Sequence, residues 1–216
     1  MTQTSHQSAI EAIIFDWGGV LIDDPTELMV NFSASKLHVD NQKLYQATKK
    51  YISLLQTGML DENAYWRAVC DDLGVEFSYD GSLWSDAFGV AFNPKDDVFS
   101  LVETLKNNGY KIGYISNTEV PSMSHFHSYK SDLFDAVVFS CLAGIVKPDK
   151  SIYLKCTDLL KIAPENSVFI DDLQMNVDGA NDAGLHGILF ESPRQIMSAL
   201  TDMGINLSAC GSPTKG

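Results

Sequence analysis

The sequence has no basic run. Lys and Arg number 15 against 28 Asp and Glu, giving a formal charge of −13 at pH 7. Nucleic-acid surfaces need clustered Lys and Arg to replace the counterions around phosphate, so nucleic acid is excluded as an expected partner. A small anion is still allowed, because one lysine in a pocket outweighs a distant negative field. Long apolar runs are also missing. None approaches the ~18 residues of a membrane span, so no membrane association is expected. Cysteine is scarce: Cys70, Cys141, Cys156 and Cys210 form no C-x-x-C pair and have no His at zinc-finger spacing. Reduced, mostly buried thiols in a cytoplasmic protein are the expectation. Residues 1–8 lack the basic-then-apolar layout of a secretory leader. No internal repeat or low-complexity segment stands out.

What is present suits a globular body. The chain has 216 residues, 45% hydrophobic and 20% charged, enough to bury a core without disulfides. Short apolar runs at 12–15, 112–115, 136–139, 167–170 and 187–190 read as buried strands. Between them lie helical spacings. These are Val98, Leu101, Val102 and Leu105 before Gly109; Tyr153, Leu154, Leu159 and Leu160 before Pro164; and Val177, Ala180 and Ala183 before Gly184, which suits a helix C-cap. Strand and helix alternating in this way imply a Rossmann-like α/β core, a parallel sheet covered on both faces.

The stretch 25–92 differs. It shows no strong strand, and groups such as Leu44, Tyr51, Leu54 and Leu55, or Tyr65, Val69 and Leu73 after a candidate cap at Asp61, mark helices. We expect about four helices inserted after the first strand, too long a segment for a loop. The division is then 1–24 and 93–216 for the α/β core and 25–92 for the helical insert. The insert is expected over the carboxyl edge of the sheet, where open α/β sheets bind ligands. From Asn206 onward a loose tail is expected.

Polar residues gather where the strands end. The first ends in Asp16, the second in Ser116-Asn117-Thr118, the fourth in Asp171-Asp172 with Asn176 four residues on, and Lys147-Pro148 follows the third. Parallel strands put all these ends on one edge. Three carboxylates packed together repel unless a positive charge sits among them. A hard, oxygen-seeking cation, Mg²⁺ above others, resolves the repulsion. Lys147 adds a charge for an anion, and Ser116 and Asn117 add donors for phosphate oxygens. Asp16 is then placed to attack phosphorus and form an aspartyl-phosphate.

Four segments in this order, F15-D16-W17-G18-G19-V20-L21, I115-S116-N117-T118, K147-P148 and F169-I170-D171-D172-x3-N176, resemble the haloacid dehalogenase (HAD) superfamily of hydrolases over roughly residues 12–200. The second, third and fourth look most like phosphatases related to the N-terminal domain of soluble epoxide hydrolase and to α-glucose-1-phosphate phosphatase. The resemblance implies an inserted cap at 25–92 and assigns roles. Asp16 is the nucleophile; Asp16, the Gly18 carbonyl, Asp172 and Asp171 (directly or through water) hold Mg²⁺. Ser116, Asn117 and Lys147 hold phosphate, Lys147 also linking it to the nucleophile, and Asn176 steadies the metal loop. There is one departure. Most phosphatases of the superfamily carry Asp two residues after the nucleophile, to protonate the leaving alcohol. Here that residue is Gly18, and Asp23 or Asp24 is a candidate substitute.

Each of these residues has a plainer reading. Asp171-Asp172 suits a solvated turn, Ser116-Asn117-Thr118 can cap a helix, and Lys147 alone suits a surface. Trp17 fits the core as well as a pocket. Tyr65, Trp66, Trp84 and Phe88 read first as core of the insert, and His125 and His127 as partly packed or exposed. The leading function is Mg²⁺-dependent hydrolysis of a small phosphorylated metabolite, a sugar phosphate among the candidates, by a monomer or homodimer. The alternatives are a silent ligand- or partner-binding protein, favoured by Gly18, and a metal-free haloacid dehalogenase, which has no use for Asp171-Asp172.

Overall fold

A computed structural model describes residues 9–208. Residues 1–8 and Cys210 therefore lie outside the described part. Five strands form one all-parallel sheet in the order β3-β2-β1-β4-β5. They are β1 (Ala12–Phe15), β2 (Lys111–Ser116), β3 (Ala136–Phe139), β4 (Ser167–Asp171) and β5 (His186–Leu189). All four residues of the central strand β1, Ala-Ile-Ile-Phe, are buried, as a strand covered on both faces requires.

Alternation sorts the side chains into two layers. Ile13 and Phe15, with Ile112, Tyr114, Val168 and Ile170, pack on one face against α5 (Asp96–Asn107) and α10 (Pro193–Asp202). Ile14, Ile115 and Phe169 pack on the other against α8 (Lys150–Leu160) and α9 (Gln174–Asp182). Gly113 lets α8 lie close, because a Cβ there would meet Ile14 at 2.8 Å and the Cys156 sulfur at 3.0 Å.

Four helices follow β1: α1 (Thr26–Leu37), α2 (Asn41–Gln56), α3 (Glu62–Leu73) and α4 (Leu83–Ala91). Asp40, Asp61 and Ser82 cap the last three, each side chain accepting a backbone N–H of the first turn. Leu44, Tyr65, Trp66, Val69, Leu83 and Trp84 form a separate apolar cluster among these helices. The remaining helices are the short α6 (Met123–His127) and α7 (Ser140–Ala143).

Two expectations need correction. Leu154 and Leu159 are exposed; α8 turns Ile152, Tyr153, Cys156 and Leu160 inward instead, because packing against β2 and β3 selects a face the leucine pattern alone does not. Residues 206–208 are tied down. Asn108 Nδ2 donates to the carbonyls of Asn206 and Ser208 at 2.8 and 3.0 Å, and the Asn206 N–H donates to the Tyr110 hydroxyl. Among the described residues no helix is long and apolar enough to cross a membrane.

Candidate active site

The register of the sheet assembles the site. Phe15 pairs with Ile170 and Tyr114, so Asp16 lies level with Asp171, and its N–H donates to the Ile170 carbonyl at 2.9 Å. Ser116 closes β2 on the other side. Carboxylate oxygens of Asp16, Asp171 and Asp172 lie within 4.8 Å of one another. Lys147 arrives on the loop before α8, and its ammonium sits 2.6 Å from both Asp16 Oδ1 and Asp171 Oδ2. Asp16, Asp171 and Lys147 are all buried.

Burial and charge oppose each other here. Burial pushes the Asp16 carboxyl up to about 7; Lys147 pulls it down and Asp171 pushes it up again. Burial also disfavours the Lys147 ammonium, but Asp16 and Asp171 more than offset this and raise it. Asp172 is raised by burial and then by Asp171. Three ionised carboxylates and one ammonium leave two negative charges in a small, poorly hydrated space, which is the charge deficit a divalent cation neutralises. The donors are hard oxygens, so the residues fit Mg²⁺. The loop after β1 is built to approach them: at Gly19, with φ +80°, a Cβ would collide with the Asp172 carboxylate.

The acids are not equivalent. Asp171 Oδ1 accepts the Leu173 N–H and Asn176 Nδ2, both at 2.9 Å, and Oδ2 accepts Lys147 and, at 3.1 Å, Asn176. Two carboxylate oxygens offer about four lone-pair directions, and these contacts use them. Asp172 makes no comparable set and lines the open cleft. Asn176 thus steadies Asp171, and the Tyr153 hydroxyl donates to the Asn176 carbonyl at 2.8 Å. Asn117 grips the backbone of Lys147: its Oδ1 accepts the Lys147 N–H at 2.8 Å and its Nδ2 donates to the Lys147 carbonyl at 3.1 Å. One amide hydrogen of Asn117 is left for a ligand. None of Ser116, Asn117 and Thr118 caps a helix, since the turn at Val120–Ser122 starts from Glu119 without a side-chain cap.

Above these groups lies a cavity of about 550 Å³. One wall is the sheet edge, with Asp16, Gly18, Ser116, Asn117, Lys147, Asp172 and Asn176. The other is the helical layer, with Met29, Leu44, Ile52, Tyr65, Trp66, Trp84 and Phe88. The insert aromatics are therefore core and lining at once. Trp17 is also both: it lines the cavity and packs on Phe88 at 5.0 Å. Asp24 lines the cavity; the exposed Asp23 instead accepts Asn93 at 2.6 Å. His125 is half-buried on Phe88, and His127 is exposed.

Three residues escaped the sequence reading. Glu119 is buried, and burial pushes its carboxyl up to about 7 against hydrogen bonds from Gln56 and Ser122. Gln56, the last residue of α2, donates to Glu119 Oε1 at 2.8 Å and to the Asn117 carbonyl at 3.3 Å. Lys95 donates to the Gly19 carbonyl. An acid directly after the strand-end S-N-T was the available signal for Glu119. Gln56 and Lys95 gave none.

This fold and site define a hydrolase class, and the comparisons agree. Residues 10–184 match the haloacid dehalogenase-like hydrolase family. The chain belongs to that family and is a HAD-like hydrolase. It is 26% identical over 208 residues to acyl-CoA dehydrogenase family member 10 of Mus musculus, covering 88% of this chain but 18% of that protein. It is 29% identical over 154 residues to flavin mononucleotide hydrolase 1 of Arabidopsis thaliana, covering 71% of this chain and 62% of that one. The chain thus spans less than two thirds of either relative. A HAD family enzyme from Bacteroides thetaiotaomicron, in complex with magnesium and inorganic phosphate, superposes with a TM-score of 0.65 at 20% identity, over 85% of this chain and 95% of that one.

Proposed function

We propose that this hydrolase is a Mg²⁺-dependent phosphatase that releases phosphate from a small phosphorylated metabolite through an aspartyl-phosphate on Asp16. The observation that carries the reading is the convergence of Asp16, Asp171, Asp172 and Lys147 at one strand edge. The family's phosphatases and the magnesium- and phosphate-bound relative support it.

Asp16 and Asp172 would hold Mg²⁺ with the Gly18 carbonyl. Asp171, whose oxygens are already engaged, would act through water or through Lys147. When bound, the ion draws charge from the transferring phosphoryl group. Lys147 fixes the Asp16 carboxylate and neutralises a phosphate oxygen. Ser116 and the remaining Asn117 hydrogen donate to the phosphoryl oxygens. The Asp16 carboxylate attacks phosphorus, the ester P–O bond breaks, and the alcohol leaves. Water then hydrolyses the acyl phosphate and returns Asp16. Gly18 supplies no proton, so the acid must come from elsewhere; Asp24 is the cleft carboxyl we assign to the leaving alcohol. Helices α1–α4 would act as a cap that closes over the cleft and excludes water. The free, buried Cys70, Cys141 and Cys156 suit a reducing, cytoplasmic setting.

Hydrolysis of p-nitrophenyl phosphate tests this. Release should require Mg²⁺, stop in EDTA and disappear in Asp16→Asn with the fold retained by circular dichroism. Turnover that survives chelation or Asp16→Asn would refute it.

A further inference from the structure

The wall facing the phosphate-handling groups identifies the other half of the substrate. Resting on the phosphatase reading above, we infer that the natural substrate is a phosphate monoester of an apolar, uncharged alcohol, a chain or ring long enough to fill the helical wall, and not a sugar phosphate.

The cavity is about 550 Å³, far more than a phosphoryl group occupies. Beyond the strand edge, Met29, Leu44, Ile52, Trp66 and Phe88 face it from α1 through α4. Such a surface gains binding energy from methylene and ring carbon, whereas every hydroxyl beyond the one or two that unpartnered donors can reach would lose water without a partner. Two buried donors of this wall, the Tyr65 hydroxyl and the Trp66 indole N–H, have no partner within the protein, while other polar groups there are occupied. The Thr48 hydroxyl donates to the Tyr45 carbonyl of its own helix at 2.8 Å, and Gln56 Nε2 is bound to Glu119 and Asn117. A sugar, with a hydroxyl on nearly every carbon, has more hydroxyls than these two buried donors can satisfy.

Charge excludes a second anionic group. The cavity cations are Lys147 and Lys49. Lys147 is bound to Asp16 and Asp171. Lys49 is exposed, with its ammonium 5.1 Å from the Tyr45 ring. Asp24 and Glu119 add carboxyls to the lining. A carboxylate or second phosphate on the leaving group would meet acids, and the buried Lys147 is already engaged by Asp16 and Asp171.

The test uses phosphate esters of primary alcohols of similar acidity, so that chemistry is constant and only the body varies. With Mg²⁺ present, kcat/KM should rise from ethyl through butyl to hexyl phosphate by roughly threefold to fourfold per methylene. Hexyl and cyclohexylmethyl phosphate should exceed glucose 6-phosphate and glycerol 3-phosphate by at least about tenfold. Ile52→Asn and, as an independent second site, Met29→Gln should flatten the chain-length slope. A flat series, or glucose 6-phosphate matching hexyl phosphate, overturns the inference. If p-nitrophenyl phosphate is cleaved while that happens, the phosphatase reading stands and this one alone falls. If the folded protein cleaves none of these esters, both fall.

Discussion

The two walls of the cleft are made by opposite rules. The strand-edge wall is a set of charges held by neighbours. Asp171 receives three donors, Lys147 bridges two acids, and Asn117 fixes the Lys147 backbone. The helical wall is apolar side chains held by packing, with Tyr65, Trp66 and Trp84 in mutual ring contact. Charges in a buried site are worth much when paired and cost much when not. Apolar packing changes in smaller steps with volume. The first wall should therefore respond to substitution and to metal in an all-or-none way, and the second in a graded way that ignores metal.

The sharpest contrast sets Lys147→Met against Trp66→Ala. Removing the ammonium leaves the buried Asp16 and Asp171 facing each other, and breaking a buried pair costs about 3–5 kcal/mol. Emptying the Trp66 site costs a similar amount, about 3–5 kcal/mol, by creating a cavity. Urea unfolding in EDTA should show both losses. Added Mg²⁺ should recover most of the first, because the ion takes over neutralisation, and none of the second. Equal recovery in both, or in neither, would break the distinction between the walls.

Where the walls meet, Glu119 gives the next effect. Its carboxyl titrates near 7 in the folded protein against an ordinary 4.5. Between those values the folded state holds the proton and the unfolded state does not, so this group makes stability fall as pH rises from about 4.5 to 7. The contribution is up to roughly 3 kcal/mol. Asp16 adds a slope of the same sign in metal-free protein, so the difference between wild type and Glu119→Gln isolates Glu119. In EDTA the variant should lose less stability than wild type between pH 5 and pH 8. An identical loss would mean that Glu119 stays ionised inside the fold.

The contrast also explains what the sequence disclosed. Asp16, Ser116, Asp171 and Asp172 sit at strand ends, each announced by a short apolar run, and Lys147 follows the third strand on the loop before α8, so a parallel sheet predicts their meeting from order alone. Asp171 is subtler. Its identity was legible, but the donors that saturate it were not, because the Leu173 N–H and Lys147 reach it only through the turn of the chain. The helical wall carried a different kind of information. Helices α2–α4 were legible as apolar groups at helical spacing, α1 was not because its faces hardly differ, and whether Met29 and Ile52 face a cavity depends on how the helices pack. Gln56 and Glu119, 63 residues apart, illustrate this most plainly: each is an ordinary polar residue until α2 is laid against the loop after β2.

The smallest effect probes the helical wall without touching the cleft. Asp61 caps α3 by accepting the Ala64 N–H at 2.7 Å, and the adjacent Glu62 binds the start of α4 through the Ser82 hydroxyl and the Trp84 N–H at 2.7 and 2.8 Å. Asp61→Ala removes one cap at a helix start, a loss of about 1 kcal/mol. Because the helical wall is held by packing and caps, that loss should be the same with Mg²⁺ as with EDTA, and Mg²⁺ affinity by calorimetry should match wild type. A weaker metal affinity in Asp61→Ala would show that strain at α3 reaches Lys147, by way of the Gln56 contact with Asn117, and that the two walls act as one unit.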